Sequence, residues 1–263
     1  MHKNPYALAL SKKKRPLFVP FTVLGDPDKK TSLEIVRTLV ESGADALELG
    51  FPFSDPPADG PVIQAADLRA LTSGIRINDC FAMLKEIRTF TDIPIGLLVY
   101  YNLILQRGVE KFYHDCKNSG VDSVLIADLP LEHSSEVLSV AKAHSIAPVF
   151  LVSDVTSDER LQKISQIAQG YLYIVSYLGV TGATSAQPHE KLHALITRTR
   201  KFTDLPLIVG FGISTPEHVR AAVGAGADGV IVGSRIVREI PDQKAIQEIS
   251  CELQHGFVSP NLS

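Results

Sequence analysis

The stretch Ser42-Gly43-Ala44-Asp45-Ala46-Leu47 returns twice in altered form, as Ser119-Gly120-Val121-Asp122-Ser123-Val124 and as Ala225-Gly226-Ala227-Asp228-Gly229-Val230. Each copy closes a segment of helical spacing and opens a short apolar run. The glycine reads as the left-handed stop of a helix. The aspartate two residues later caps the turn into a strand, at the end of a barrel where chemistry is not expected. Asp45, Asp122 and Asp228 are therefore read as structural.

Working outward from these junctions, apolar runs of strand length occupy Leu17 to Thr22, Ala46 to Gly50, Ile95 to Tyr100, Ser123 to Ala127, Pro148 to Val152, Tyr171 to Ser176, Leu207 to Val209 and Gly229 to Gly233. Amphipathic stretches such as Leu33, Ile35, Val36, Leu39 and Val40 lie between them. The runs are continuous rather than alternating, which is the pattern of a parallel sheet covered on both faces by helices. Eight β/α units in a chain of about 250 residues fit a closed (β/α)₈ TIM barrel. The expectation is one α/β domain over residues 1–263, with an extra N-terminal helix. An open doubly wound sheet is the rival, but no Gly-rich dinucleotide fingerprint follows the first strand.

The formal net charge of -3 over 263 residues gives no electrostatic reason to expect nucleic acid or an anionic membrane as partner. Lys12, Lys13, Lys14 and Arg15 read as a solvated helix end. No apolar run of signal-peptide or membrane-spanning length is present. The three cysteines, Cys80, Cys116 and Cys251, are widely spaced, and the histidines show no ligand spacing, so the expectation is a cytoplasmic protein without a metal site.

Aligning the repeats sets Glu48 where the other copies have Leu125 and Ile231. A carboxylate in a core position is costly, and desolvation raises its pKa toward the range useful for proton transfer. A structural ion pair is the competing reading. Eleven residues on, Asp59 shares with Asp55 a loop stiffened by Pro56, Pro57 and Pro61. Loop aspartates often only form turns. Two carboxylates in unlike surroundings can also divide the roles of acid and base.

Glycines cluster where the later strands end, at Gly179 and Gly182, at Gly210 and Gly212, and at Gly233 before Ser234. Backbone N–H groups in that part of a barrel commonly hold phosphate. The stretches Gly50 to Pro61 and Gly179 to Pro188 are too long for routine connections and read as lids over a pocket. The residues thus describe a barrel acting on a phosphorylated small molecule through two carboxylates.

The run Leu47-Glu48-Leu49-Gly50-Phe51-Pro52-Phe53-Ser54-Asp55-Pro56, continuing into Ala58-Asp59-Gly60-Pro61, closely resembles the signature of the tryptophan synthase alpha subunit family. The likeness extends through Phe18-Val19-Pro20-Phe21, Ala127-Asp128-Leu129-Pro130, Gly179-Val180-Thr181-Gly182, Gly210-Phe211-Gly212-Ile213-Ser214 and Gly233-Ser234, nearly the whole chain. The resemblance implies retro-aldol cleavage of indole-3-glycerol phosphate, with Glu48 and Asp59 as the catalytic carboxylates. It implies substrate contacts from Phe21, Leu98, Tyr100, Ala127, Tyr173, Thr181, Gly182, Phe211, Gly212, Gly233 and Ser234. It further implies an assembly of two alpha and two beta chains, a beta subunit that carries the pyridoxal phosphate, and an interface at Pro52, Asp55, Asn102, Asp128 and Pro130. No cofactor is then expected in this chain.

Several positions depart from the family pattern, among them Pro57, Tyr101, Ser153-Asp154 and Tyr177-Leu178. These bear on lid movement and partner coupling more than on the chemistry. Two other readings compete. One is a catalytically weak regulatory barrel that only activates its partner, against which stand Glu48, Asp59 and Thr181 together. The other is an isomerase or epimerase of a sugar phosphate, to which the Phe-Ser-Asp-Pro motif is foreign.

Overall fold

Each of the three repeated junctions builds the same clasp. In the computed structural model, which describes residues 4–176 and 187–257, Gly43, Gly120 and Gly226 have φ of 91°, 74° and 98°. Such angles strain any residue with a Cβ. The following aspartate accepts an N–H from the start of the preceding strand: Asp45 from Phe18, the second residue of its strand, at 2.9 Å, and Asp122 from Ile95 and Asp228 from Leu207, each the first of its strand, at 2.8 Å. An arginine meets each carboxylate, namely Arg15, Arg88 and Arg200. The clasps fasten the N-terminal ends of the strands, as the sequence reading requires.

The strands are β1 (Leu17–Val23), β2 (Leu47–Gly50), β3 (Ile95–Val99), β4 (Ser123–Ile126), β5 (Ala147–Val152), β6 (Leu172–Val175), β7 (Leu207–Gly210) and β8 (Gly229–Val232). Each lies within one residue of its predicted limits. All pair in parallel, and β8 returns to β1 to close the barrel. The helices are α1 (Pro5–Lys13), α2 (Lys29–Glu41), α3 (Pro61–Thr72), α4 (Ile77–Ile87), α5 (Tyr101–Arg107), α6 (Val109–Asn118), α7 (Ser135–Ala143), α8 (Asp158–Ile167), α9 (Gln187–Arg200), α10 (Pro216–Gly224), α11 (Ser234–Val237) and α12 (Gln243–Gln254).

The apolar residues sort into two shells. Val19, Phe21, Leu98, Leu125, Val149, Ile208 and Ile231 fill the inside of the barrel. Leu47, Leu49, Leu97, Val124, Ile174 and Val209 face outward onto helix residues such as Ile35, Leu39, Leu84, Phe112 and Leu161. This two-sided burial explains the unbroken apolar runs. Each fully buried aliphatic contributes about 1.5–3 kcal/mol relative to exposure.

The extra helix α1 closes the barrel floor. Asn4 caps it, accepting from the N–H of Tyr6 at 3.0 Å, and donates its amide to the Gly170 carbonyl at 2.7 Å. Tyr6 is buried, with its hydroxyl 2.7 Å from Ser123 Oγ and its ring centroid 4.8 Å from that of Tyr171. Gly96 leaves the space for this hydroxyl, since a Cβ there would stand 2.9 Å from it. The basic run corrects one expectation. Lys12 and Lys14 are exposed, but Lys13 and Arg15 pair with Asp45 at 2.9 and 2.8 Å, so the run also fastens α1 to the floor. No described helix is long and apolar enough to cross a membrane.

Candidate active site

The opposite end of the barrel, at the C-terminal ends of the strands, gathers most of the predicted catalytic and substrate-binding residues around one cavity of about 260 Å³. Glu48, Asp59, Phe21, Leu98, Tyr173, Phe211, Gly212, Gly233 and Ser234 all border it. Register explains part of this gathering, because Glu48 pairs with Phe21 on one side and Gly96 on the other. The inward-pointing Glu48 thus stands among apolar neighbours from adjacent strands.

Glu48 is 2% exposed. Burial drives its pKa up to about 8, the charge of Asp59 pushes the same way, and a hydrogen bond from Tyr171 opposes both. That bond runs from the Tyr171 hydroxyl to Glu48 Oε1 at 3.1 Å. Glu48 therefore carries a proton at neutral pH. A buried ion pair, the competing reading, is not what the geometry shows: no cation among the described residues pairs with it.

Asp59 lies in the loop between β2 and α3 and is half-buried. Tyr100 donates its hydroxyl to Asp59 Oδ2 at 2.7 Å and accepts the Ala58 N–H at 3.2 Å, tying the loop to the end of β3. Partial burial raises the pKa of Asp59, and the Tyr100 bond opposes the rise. The Tyr100 ring also stacks on Phe53, with centroids 5.1 Å apart. Tyr100 thus touches the catalytic candidate rather than the cavity wall.

Other predicted residues lie elsewhere. Ala127 borders a separate cavity of about 350 Å³ outside β4 and β5, against α7. That cavity is larger, but its lining has no pair of carboxylates, and its Arg160 is engaged by Glu132. It is the smaller cavity that is lined by two carboxyl groups, Glu48 and Asp59. Asp55, Asn102, Asp128 and Pro130 are exposed on loops or helix starts that follow β2, β3 and β4, whereas Pro52 is buried within the chain. Asp128 accepts the Tyr101 N–H at 2.7 Å. Thr181 and Gly182 lie outside the described residues, as do Tyr177-Leu178 and most of the second long loop.

Four polar residues near the site were not anticipated. Tyr171 holds Glu48. Asp67 on α3 is 4% exposed, and burial together with the charges of Asp59 and Asp26 drives its carboxyl up to about 7 against a bond from the Phe53 N–H. Arg235 and Arg238 border the cavity beside Gly233 and Ser234. Their spacing of three, directly after the glycine–serine pair, was the available signal. No cluster of metal-ligating side chains occurs among the described residues.

A closed eight-stranded parallel barrel with unlike carboxylates over a cavity at its C-terminal face defines the class of (β/α)₈-barrel enzymes. Within that class the match is specific. The tryptophan synthase alpha chain model covers residues 8–258, and the chain belongs to this family, placing it in an enzyme of tryptophan synthesis. It is 51% identical to the tryptophan synthase alpha chain of Methanothermobacter thermautotrophicus over 90% of this chain and 88% of the relative. It is 46% identical to that of Pectobacterium atrosepticum over 95% and 93%. Among solved structures, the alpha subunit from Legionella pneumophila superposes with a TM-score of 0.87 at 34% identity, covering 97% and 98%. A chain of the tryptophan synthase complex from Pyrococcus furiosus gives 0.81 at 36%, covering 92% and 98%.

Proposed function

We propose that this chain is a carbon–carbon lyase that splits indole-3-glycerol phosphate into indole and glyceraldehyde 3-phosphate. The observation that carries this reading is the single cavity bordered by Glu48 of β2 and Asp59 of the loop that follows it, and by Gly212, Gly233 and Ser234 beyond the ends of β7 and β8. The glycine end suits a phosphate held by backbone N–H groups and the Ser234 hydroxyl. Phe21 and Leu98 offer the apolar wall that an indole ring needs.

Glu48, protonated at neutral pH, delivers its proton to indole C3 while Asp59 accepts the proton from N1. The Glu48 carboxylate so formed then takes the proton of the glycerol hydroxyl attached to the breaking carbon. The C3 to glycerol bond breaks, its electron pair returns to the indole ring, and N1 recovers its proton from Asp59. The net transfer is one proton from hydroxyl to C3, with both carboxyl groups restored. Thr181, in the second long loop, is assigned to hydrogen-bond Asp59 when that loop covers the site.

The partner is a beta subunit, in the manner of the Pyrococcus furiosus relative described as a tryptophan synthase a2b2 complex. The exposed Asp55, Asn102, Asp128 and Pro130 follow three consecutive strands and therefore share one face. Pyridoxal phosphate belongs to that partner, and the assembly is assigned to the cytoplasm. Indole release by the purified chain, alone and with a beta subunit, tests the reading. Glu48→Gln and Asp59→Asn are each expected to lower kcat by about a hundredfold or more with a smaller change in KM. Wild-type release near zero, with the partner's activity still stimulated, would instead make the chain a regulatory barrel.

A further inference from the structure

The proposed cavity has to admit a phosphate monoester, close to a dianion at neutral pH, beside two carboxyl groups. Backbone N–H groups supply direction there, but no full positive charge. Among the described residues the only cationic side chains on the cavity wall are Arg235 and Arg238, both at the glycine end and both on the short helix α11 or its C-cap. Three residues apart on one turn, they face the same side. Arg235 is 29% exposed in its side chain and is held by Glu239 one turn later, while Arg238 is exposed and has no acidic partner among the described residues.

We propose that Arg235 is a side-chain clamp for the substrate phosphate, that Glu239 restrains it, and that Arg238 adds a weaker cation at the cavity rim. The inference rests on the lyase reading for the identity of the substrate, but not for the presence of an anion site. A guanidinium has five N–H donors in a planar fork, so one edge can keep Glu239 while the other receives a phosphate oxygen. Partial burial weakens screening of Arg235, whereas Arg238 works through solvent and counts for less. In this arrangement Glu239 competes with the phosphate for the same guanidinium. It sets the clamp's strength so that the phosphorylated product can leave.

Steady-state cleavage by the whole chain with its beta partner separates the possibilities. Arg235→Ala is expected to raise KM for indole-3-glycerol phosphate about tenfold with kcat within about twofold, and to leave cleavage of dephosphorylated indole-3-glycerol unchanged. Arg238→Ala should raise KM about threefold. Glu239→Gln, which frees the guanidinium without removing it, should lower KM. An equal loss on phosphorylated and dephosphorylated substrate, or an unchanged KM in Arg235→Ala, would overturn the clamp. So would a Glu239→Gln variant that binds phosphate more weakly, since Glu239 would then be shaping Arg235 rather than competing for it.

Protection against thermal unfolding by glycerol 3-phosphate tests the anion site without turnover. Wild-type protection that disappears in Arg235→Ala supports the clamp even if the chain releases no indole. Equal protection of both proteins sinks it even if the lyase reading holds.

Discussion

Burial raises the pKa of Glu48, and the Tyr100 hydrogen bond opposes the rise at Asp59. Removing the Tyr100 hydroxyl takes away the bond that lowers the Asp59 pKa, so that pKa rises further. Tyr100→Phe is therefore expected to move the acidic limb of the kcat/KM profile to higher pH, leaving the alkaline limb, set by Glu48 near 8, in place. Asp67 bears on stability instead. Its carboxyl titrates near 7 in the fold against 3.8 in a model peptide, so the stability it contributes is present below 3.8 and is lost as pH rises through about 7. Asp67→Asn should raise Tm at pH 8 by roughly 3–6 °C, with the gain shrinking toward pH 4 in a thermal-melt series. Glu48 was legible because two homologous junctions show what an ordinary core residue is at its position. Asp59 needed the family motif. Tyr171 was hidden, because a tyrosine opening a strand looks like packing, and Arg235 and Arg238 were hidden because charges on a helix usually mark a solvated face.

The three clasps show what elements owe to side chains at their ends. Arg88 is the most enclosed of the three arginines, with 20% of its side chain exposed, and it bonds the carbonyls of Gly120 and Ile93 as well as Asp122. Arg200 is 36% exposed. Arg88→Ala should cost about 2–4 kcal/mol in denaturant unfolding, and Arg200→Ala less, with kcat of the folded chain unchanged by either. A drop in kcat that parallels the stability loss would show the floor to be coupled to the chemistry. Strand positions were readable because both faces of each strand are apolar, and a closed sheet leaves little freedom in where such a run can pair. The position of α1 was not. Its anchor contacts, Asn4 to Gly170 and Tyr6 to Ser123, join segments whose local patterns say nothing of one another.

At the scale of the molecule, one end carries the three clasps and the other the cavity and the exposed Asp55, Asn102, Asp128 and Pro130. Asp128→Ala removes an exposed acceptor and releases the Tyr101 N–H, away from Glu48 and Asp59. It is expected to reduce the stimulation of indole release by a beta subunit several-fold while leaving the chain's unassisted rate unchanged. Equal stimulation of wild type and variant would remove Asp128 from the interface. The floor plug also imposes a schedule on synthesis. Asn4 leaves the ribosome 166 residues before the carbonyl it will hold. At about 5–20 residues per second that is roughly 10–30 seconds in which the first helix, with Tyr6 uncovered, has no place to dock. During that interval Tyr6 lacks the Ser123 and Tyr171 partners that bury it, and the barrel's floor is laid only after most of its wall has been made.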